Sequence, residues 1–200
     1  MKEPLITLPP SQATELALSV ERAYSENKIL DRLGAIWAVT FAKCTLAQWA
    51  IQTYLIPING LIYIWSLTFI MLSVVSVYYL HAHQTKLQVL MHQLRVQAAL
   101  SLGALIAIGF VLYAHWALAV LSTTATAGLV AVLMGMWSLV RATLRRAWEP
   151  MMGALLWWGI ASEAFKSADR YALLWVGLGL LFAQALPGFM VARRTARYRV

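Results

Sequence analysis

Six apolar segments alternate with short polar segments along the chain. They cover residues 33–56, 61–80, 98–121, 126–140, 151–165 and 171–192. An α-helix rises about 1.5 Å per residue, so the longer of these segments exceed the ~30 Å hydrocarbon layer of a bilayer. The pattern predicts an all-α, polytopic membrane helix bundle. We expect six transmembrane helices arranged as three hairpins.

Small residues recur at every fourth position in three of these segments, a spacing that lets helix backbones approach closely in lipid. The central hairpin consists of residues 98–121 and 126–140, joined by three hydroxyl residues. The predicted helix-packing residues are Ala99, Gly103 and Ala107 in its first helix, Ala127, Ala131 and Gly135 in its second, and Gly179 and Ala183 in the sixth segment.

The segment before the first span, residues 11–32, has the pattern of an amphipathic helix that begins near Ser11. Its apolar face holds Ala13, Leu16, Ala17, Val20 and Tyr24. Its net charge is −1, whereas helices that adsorb to anionic lipid are usually rich in Lys and Arg. Two interpretations of this helix stay open. It packs on protein, or it is a solvated segment that lies at the membrane interface before the first span. We therefore divide the chain into a cytoplasmic arm and helix (1–32), a transmembrane domain (33–192) and a tail (193–200).

The distribution of basic residues predicts the orientation of the bundle. One set of flanking segments (81–97, 141–149 and 193–200) holds nine Lys and Arg, and the opposite set holds two. The positive-inside rule places both termini in the cytoplasm, and we expect a bacterial inner membrane. In a five-span alternative, residues 151–165 enter the membrane and return to the same side. This alternative places the C-terminal tail on the non-cytoplasmic side. The polybasic tail, with Arg193, Arg194, Arg197 and Arg199, is the candidate site for anionic lipid headgroups.

Composition narrows the class of protein further. With 61% hydrophobic and 12% charged residues, the chain is too apolar for an ordinary soluble domain. The net charge of +8 would indicate nucleic acid in a soluble protein, but these basic residues cluster at span ends, so no nucleic-acid partner is expected. The single cysteine, Cys44, excludes an intrachain disulfide and a cysteine-based metal site.

The first span is the most polar. Thr45, Gln48 and Gln52 fall within about 60° of one another on a helical wheel, and Lys43 points to roughly the opposite side. Together with His115 in the third span, these side chains form a candidate polar path between helices. Alternatively, Lys43 reaches the headgroups or pairs with a neighbouring helix, and His115 is a hydrogen-bonded packing residue.

No phosphate-binding loop, zinc-binding helix or nucleophile motif occurs, and the acidic residues after residue 31 lie at span ends. We therefore predict no catalytic residue, metal or cofactor. The expected function is that of a non-catalytic membrane subunit with an accessory, assembly or regulatory role. It binds a protein partner or a second copy of itself through its cytoplasmic face. The alternative is a small-solute or ion transporter or channel that uses the polar path.

Overall fold

The computed structural model describes the backbone of residues 10–56, 61–83, 91–145 and 147–197, and the side chains of most of these residues. The described residues are helical and contain no strand, which confirms the predicted all-α class. The first five helices are α1 (Pro10–Thr53), α2 (Leu61–Ala82), α3 (Met91–Trp116), α4 (Thr123–Arg145) and α5 (Trp148–Lys166). A 3-10 turn (Asp169–Tyr171) precedes the last helix, in which a π-helical segment (Gly179–Ala185) joins α6 (Ala172–Leu178) to α7 (Leu186–Arg197).

Four helical stretches are long and apolar enough to cross a membrane. They are Tyr63–Ala82, Ala99–Trp116, Thr123–Leu144 and Asp169–Arg193. This finding supports a multi-pass membrane protein. The other two predicted spans, residues 33–56 and 151–165, lie in α1 and α5, where polar residues and tryptophans lower the mean hydropathy. Six spans in three hairpins therefore remain a prediction.

Helix α1 runs without interruption through 44 residues. The predicted amphipathic helix and the first apolar segment are parts of this one helix, with no break at residue 32. At about 1.5 Å per residue, α1 is about 66 Å long, roughly twice the thickness of the hydrocarbon layer. A large part of α1 must therefore extend beyond whatever layer the bundle spans.

The core of the bundle lies between α4, α5 and the last helix, with α1 packed along the last helix. Ala131, Trp157, Ala161 and Ala183 form its main apolar cluster, in which Trp157 is completely buried. Small residues on three helices leave the space that this large ring fills, so one tryptophan holds three helices together.

Helices α2 and α3 lie at the edge of the bundle. Helix α2 contacts α1, and α3 contacts α4. Their large apolar side chains are mostly exposed: Leu67 of α2 is 64% exposed, and Phe110 of α3 is 70% exposed. Such surfaces suit a lipid environment or the helices of another protein.

The predicted packing residues fall into two groups. In α4, Ala127 and Ala131 are buried in clusters that include residues of α5 and of the last helix, and the Trp158 ring of α5 lies over Gly135. In α3, Ala99 and Gly103 are exposed and Ala107 is half-buried.

These two small-residue faces do not contact each other, since Ala99 and Gly103 are exposed. Helix α5 occupies the small face of α4. Helix α3 instead meets α4 on another side, where the Trp137 indole N–H donates to Ser101 Oγ at 3.3 Å. In the last helix, both predicted residues are buried in the core, with Gly179 against the Trp157 ring and Ala183 in the same cluster.

Candidate functional site

A buried ion pair joins α1 to α4. Arg141 Nη2 donates to Asp31 Oδ1 at 2.8 Å, and the two side chains are only 12% and 1% exposed. The Arg141 guanidinium also lies over the Trp137 ring, 4.5 Å from its centroid. Arginine suits such a place because its planar cation can bind a carboxylate and stack on an aromatic ring at once.

Further buried polar groups surround this pair. Ser138 Oγ donates to Gln184 Oε1 at 3.3 Å, across α4 and the π-helical segment. Glu149 is buried at the start of α5, and its neighbour Pro150 lines a crevice that Ser138, Arg141 and Gln184 also line. The crevice has room for about one water molecule. We call Asp31, Ser138, Arg141, Glu149 and Gln184 the polar cluster.

The π-helical segment approaches α5 closely at two glycines. A Cβ at Gly179 would lie 2.3 Å from Cζ3 of Trp157, and a Cβ at Gly153 would lie 2.4 Å from the carbonyl oxygen of Ala183. Only glycine fits at either place. Within the π-helical segment, Gln184 lies opposite Ser138 of α4. Segments of this kind are frequent at functional sites.

The polar cluster links side chains from different helices. Its charged groups come from α1, α4 and α5, and its amide comes from the last helix. No group of three or more His, Cys, Asp or Glu residues that could hold a metal ion occurs in the described part of the chain. The hydrogen bonds of the polar cluster join α1 to α4 and α4 to the last helix.

The polar-path residues of α1 contact different neighbours. Thr45 is buried and donates to the carbonyl oxygen of Phe41 at 2.7 Å. Gln48 accepts a hydrogen bond from the indole N–H of Trp65 in α2 at 2.7 Å. Lys43 and Gln52 are exposed. The structure does not bring these side chains together along one passage.

The remaining predicted site residues lie near the helix ends. His115 Nδ1 lies 2.8 Å from the carbonyl oxygen of Leu121, in the turn after α3. Arg193 is exposed near the end of the last helix. The side chains of Arg194 and Arg197, and all of Arg199, lie outside the described residues.

From residue 29 onward, where its side chains are described, helix α1 presents three faces, of which two are covered. One face packs on the last helix: a Cβ at Gly188 would lie 3.1 Å from Cβ of Ala35, and Leu46 packs on Gly177. The second face meets α2, where the Trp37 indole N–H donates to Ser76 Oγ at 2.7 Å.

The third face of α1 is open. It consists of Ile36, Val39, Lys43 and Ala47, all of which are exposed. Their spacing of three or four residues places them along one side of the helix, about 110–130° from the centre of either covered face. We call these four residues the open stripe.

The sequence patterns did not identify the polar cluster. Asp31 and Arg141 lie at the edges of two apolar segments, where charged residues are ordinarily solvated. One signal was present, because the expected topology places an acid and a base at the same membrane boundary. Gln184 had no comparable signal, since its burial depends on the π-helical turn.

No protein-family model, curated protein or solved structure matches this chain. Its function must therefore be inferred from the polar cluster, the open stripe and the length of α1.

Proposed function

We propose that the chain is a non-catalytic integral membrane subunit that binds a protein partner through its cytoplasmic face. The observation that carries this proposal is the continuity of α1 from Pro10 to Thr53, with Asp31 fixed to Arg141 within it. Residues 10–30 then form a helical extension of about 30 Å beyond the ion pair. The extension begins at a clamped residue, so its direction is set by the bundle.

Such an extension suits the binding of a protein groove. The sequence places Ala13, Leu16, Ala17, Val20 and Tyr24 along one side of it, which is the spacing that helix-in-groove recognition uses. Its slightly negative charge favours a protein surface over anionic lipid. Because the clamp orders the helix before binding, less conformational entropy is lost on association.

The remaining features of the proposal concern the membrane. We infer six spans in three hairpins, both termini in the cytoplasm and a bacterial inner membrane, supported by the basic residues on one set of flanks. The tail arginines then bind anionic headgroups. The transport alternative has less support, because Thr45 donates within its own helix whereas Gln48 contacts Trp65 of α2.

Substitution on the apolar side of the extension tests the proposal. After mild detergent extraction, we expect the tagged full-length protein to elute with a larger complex. Val20→Glu should remove this association because it places a carboxylate in the apolar contact. Glu21→Gln, on the polar side of the same turn, is the matched control and should leave the complex intact. Elution of the unaltered protein as a lone monomer, or a complex insensitive to Val20→Glu, would contradict the proposal.

A further inference from the structure

Lys43 lies midway along the part of α1 that packs on the bundle. It is 12 residues from Asp31 and 10 residues from Thr53, or about 18 Å and 15 Å along the helix. Asp31 is in the polar cluster, and α1 contacts the 3-10 turn Asp169–Tyr171 at the opposite end. Lys43 is thus far from both polar ends of the bundle.

The neighbouring helix sets the membrane depth of Lys43. Helix α1 runs antiparallel to the apolar stretch Asp169–Arg193, with Ala35 beside Gly188 and Leu46 beside Gly177. Lys43 lies between these two contacts, and therefore at the level of the middle of that stretch. This placement holds for either orientation of the bundle in the membrane.

A lysine at this depth requires a group that offsets the free-energy cost of its ammonium in the hydrocarbon layer. Its side chain leans toward the N-terminus of its helix and reaches about 6 Å, well short of the ~15 Å to the headgroups. Exposed ammonium groups in the hydrocarbon layer are unfavourable, and intramembrane ionisable residues generally pair or serve a function.

The acidic residues in the described part of the chain do not lie at the required depth. The sequence has none between residues 32 and 148. Glu149 is in the polar cluster, and Glu163 is near the end of α5, 3.6 Å from Lys166. Asp169 accepts a hydrogen bond from the backbone N–H of Thr124 at the start of α4. A second copy of the chain offers the same acids, so its described residues also place no carboxylate at the level of Lys43.

We propose that the open stripe binds a transmembrane helix of a different protein, and that an Asp or Glu near the middle of that helix pairs with Lys43. The stripe is apolar on both sides of the lysine, and Ala47 allows a close approach of the second helix. This contact lies inside the membrane and involves none of residues 10–30. It therefore goes beyond the cytoplasmic binding proposed above and does not depend on it.

A synthetic helix can test this inference without knowledge of the natural partner. The probe is a Leu/Ala transmembrane peptide of about 20 residues with one central Asp, and its companions carry Asn or Leu at that position. Energy transfer is measured between labelled peptide and full-length protein labelled at its C-terminus, in phosphatidylcholine vesicles. We expect the Asp peptide to bind about tenfold more tightly than either companion, a factor typical of one polar contact between membrane helices.

Substitutions in the protein distinguish a charge pair between Lys43 and the peptide Asp from nonspecific association of the peptide. Lys43→Met keeps the side-chain length and should abolish the preference for the Asp peptide. Lys166→Met, which removes an exposed lysine at the end of α5, is the matched control and should retain it. Lys43→Glu should reverse the preference toward a peptide with a central Lys. Thermal unfolding of each variant checks that the bundle is intact.

Three results would overturn the inference. One is equal binding of the three peptides, and another is an Asp preference that survives in Lys43→Met. The third is energy transfer between two labelled copies of the protein that is lost in Lys43→Met, which would assign the stripe to self-association. Val20→Glu should change none of these peptide measurements, so failure here is distinguishable from failure of the cytoplasmic proposal.

Discussion

Arg141→Met is expected to lower the free energy of unfolding by about 3–5 kcal/mol, the usual cost of removing one partner of a buried ion pair. Asp31 is 1% exposed, so solvent cannot replace the lost guanidinium. The side chain of methionine is long enough to fill most of the space over Trp137. The loss would therefore come from charge rather than from a cavity. Denaturant-induced unfolding in detergent micelles measures it.

Arg170→Met is the matched control for this experiment. Arg170 also lies over an aromatic ring, 4.7 Å from the centroid of Tyr171, but it is exposed. We expect a change below about 1 kcal/mol, as is usual for exposed charges. The double variant Asp31→Asn/Arg141→Met should regain part of the stability lost in Arg141→Met. If the single and control variants are equally stable, Asp31 and Arg141 do not clamp α1.

Two glycines of α5 are expected to respond differently to alanine. Gly153→Ala places a Cβ 2.4 Å from the carbonyl oxygen of Ala183. A backbone atom cannot move aside as a side chain can, so the π-helical segment must shift. We expect a loss of about 1–3 kcal/mol, the range for overpacked cores.

Gly159→Ala is the control on the same helix. No atom lies within 4 Å of a Cβ at this position, and alanine is favoured over glycine in helices by about 1 kcal/mol. We therefore expect unchanged or slightly increased stability. Unfolding of both variants under identical conditions makes the comparison. A Gly153→Ala protein as stable as Gly159→Ala would mean that α5 does not approach the π-helical segment this closely.

The hydrophobic pattern predicted the helices well because burial in lipid or in a helical core leaves a long apolar signal. Ala131 and Ala183, two of the small residues in this pattern, lie in the main apolar cluster. The pattern did not reveal which helix each small face contacts. Ala99 and Gly103 repeat at the same spacing as Ala127 and Ala131, yet only the α4 series is buried. The four-residue spacing of small residues indicates that a close approach of two helices is possible. Which helix makes that approach depends on the packing of the whole bundle.

The polar residues of the first span were harder to assign from the sequence. A helical wheel groups Thr45 with Gln48, but the first donates within its own helix and the second accepts a hydrogen bond from Trp65. Local hydrogen bonds of this kind satisfy a polar side chain without any passage. The wheel did separate Lys43 from the other two. Its position on the one open face of α1 became clear only once the two covered faces were located.

The position of α1 in the membrane can be measured with spin labels at three sites along one side of the helix and at one site just after its last residue. In a Cys44→Ser background, single cysteines replace Arg32, Val39, Ala47 and Tyr54, all exposed, and proteoliposomes are examined by electron paramagnetic resonance. We predict that labels at 39 and 47 are more accessible to oxygen than to a water-soluble nickel chelate. Labels at 32 and 54 should show the reverse. If the nickel chelate reaches 39 and 47 as readily as the end positions, α1 does not cross the bilayer and Lys43 is not at its centre.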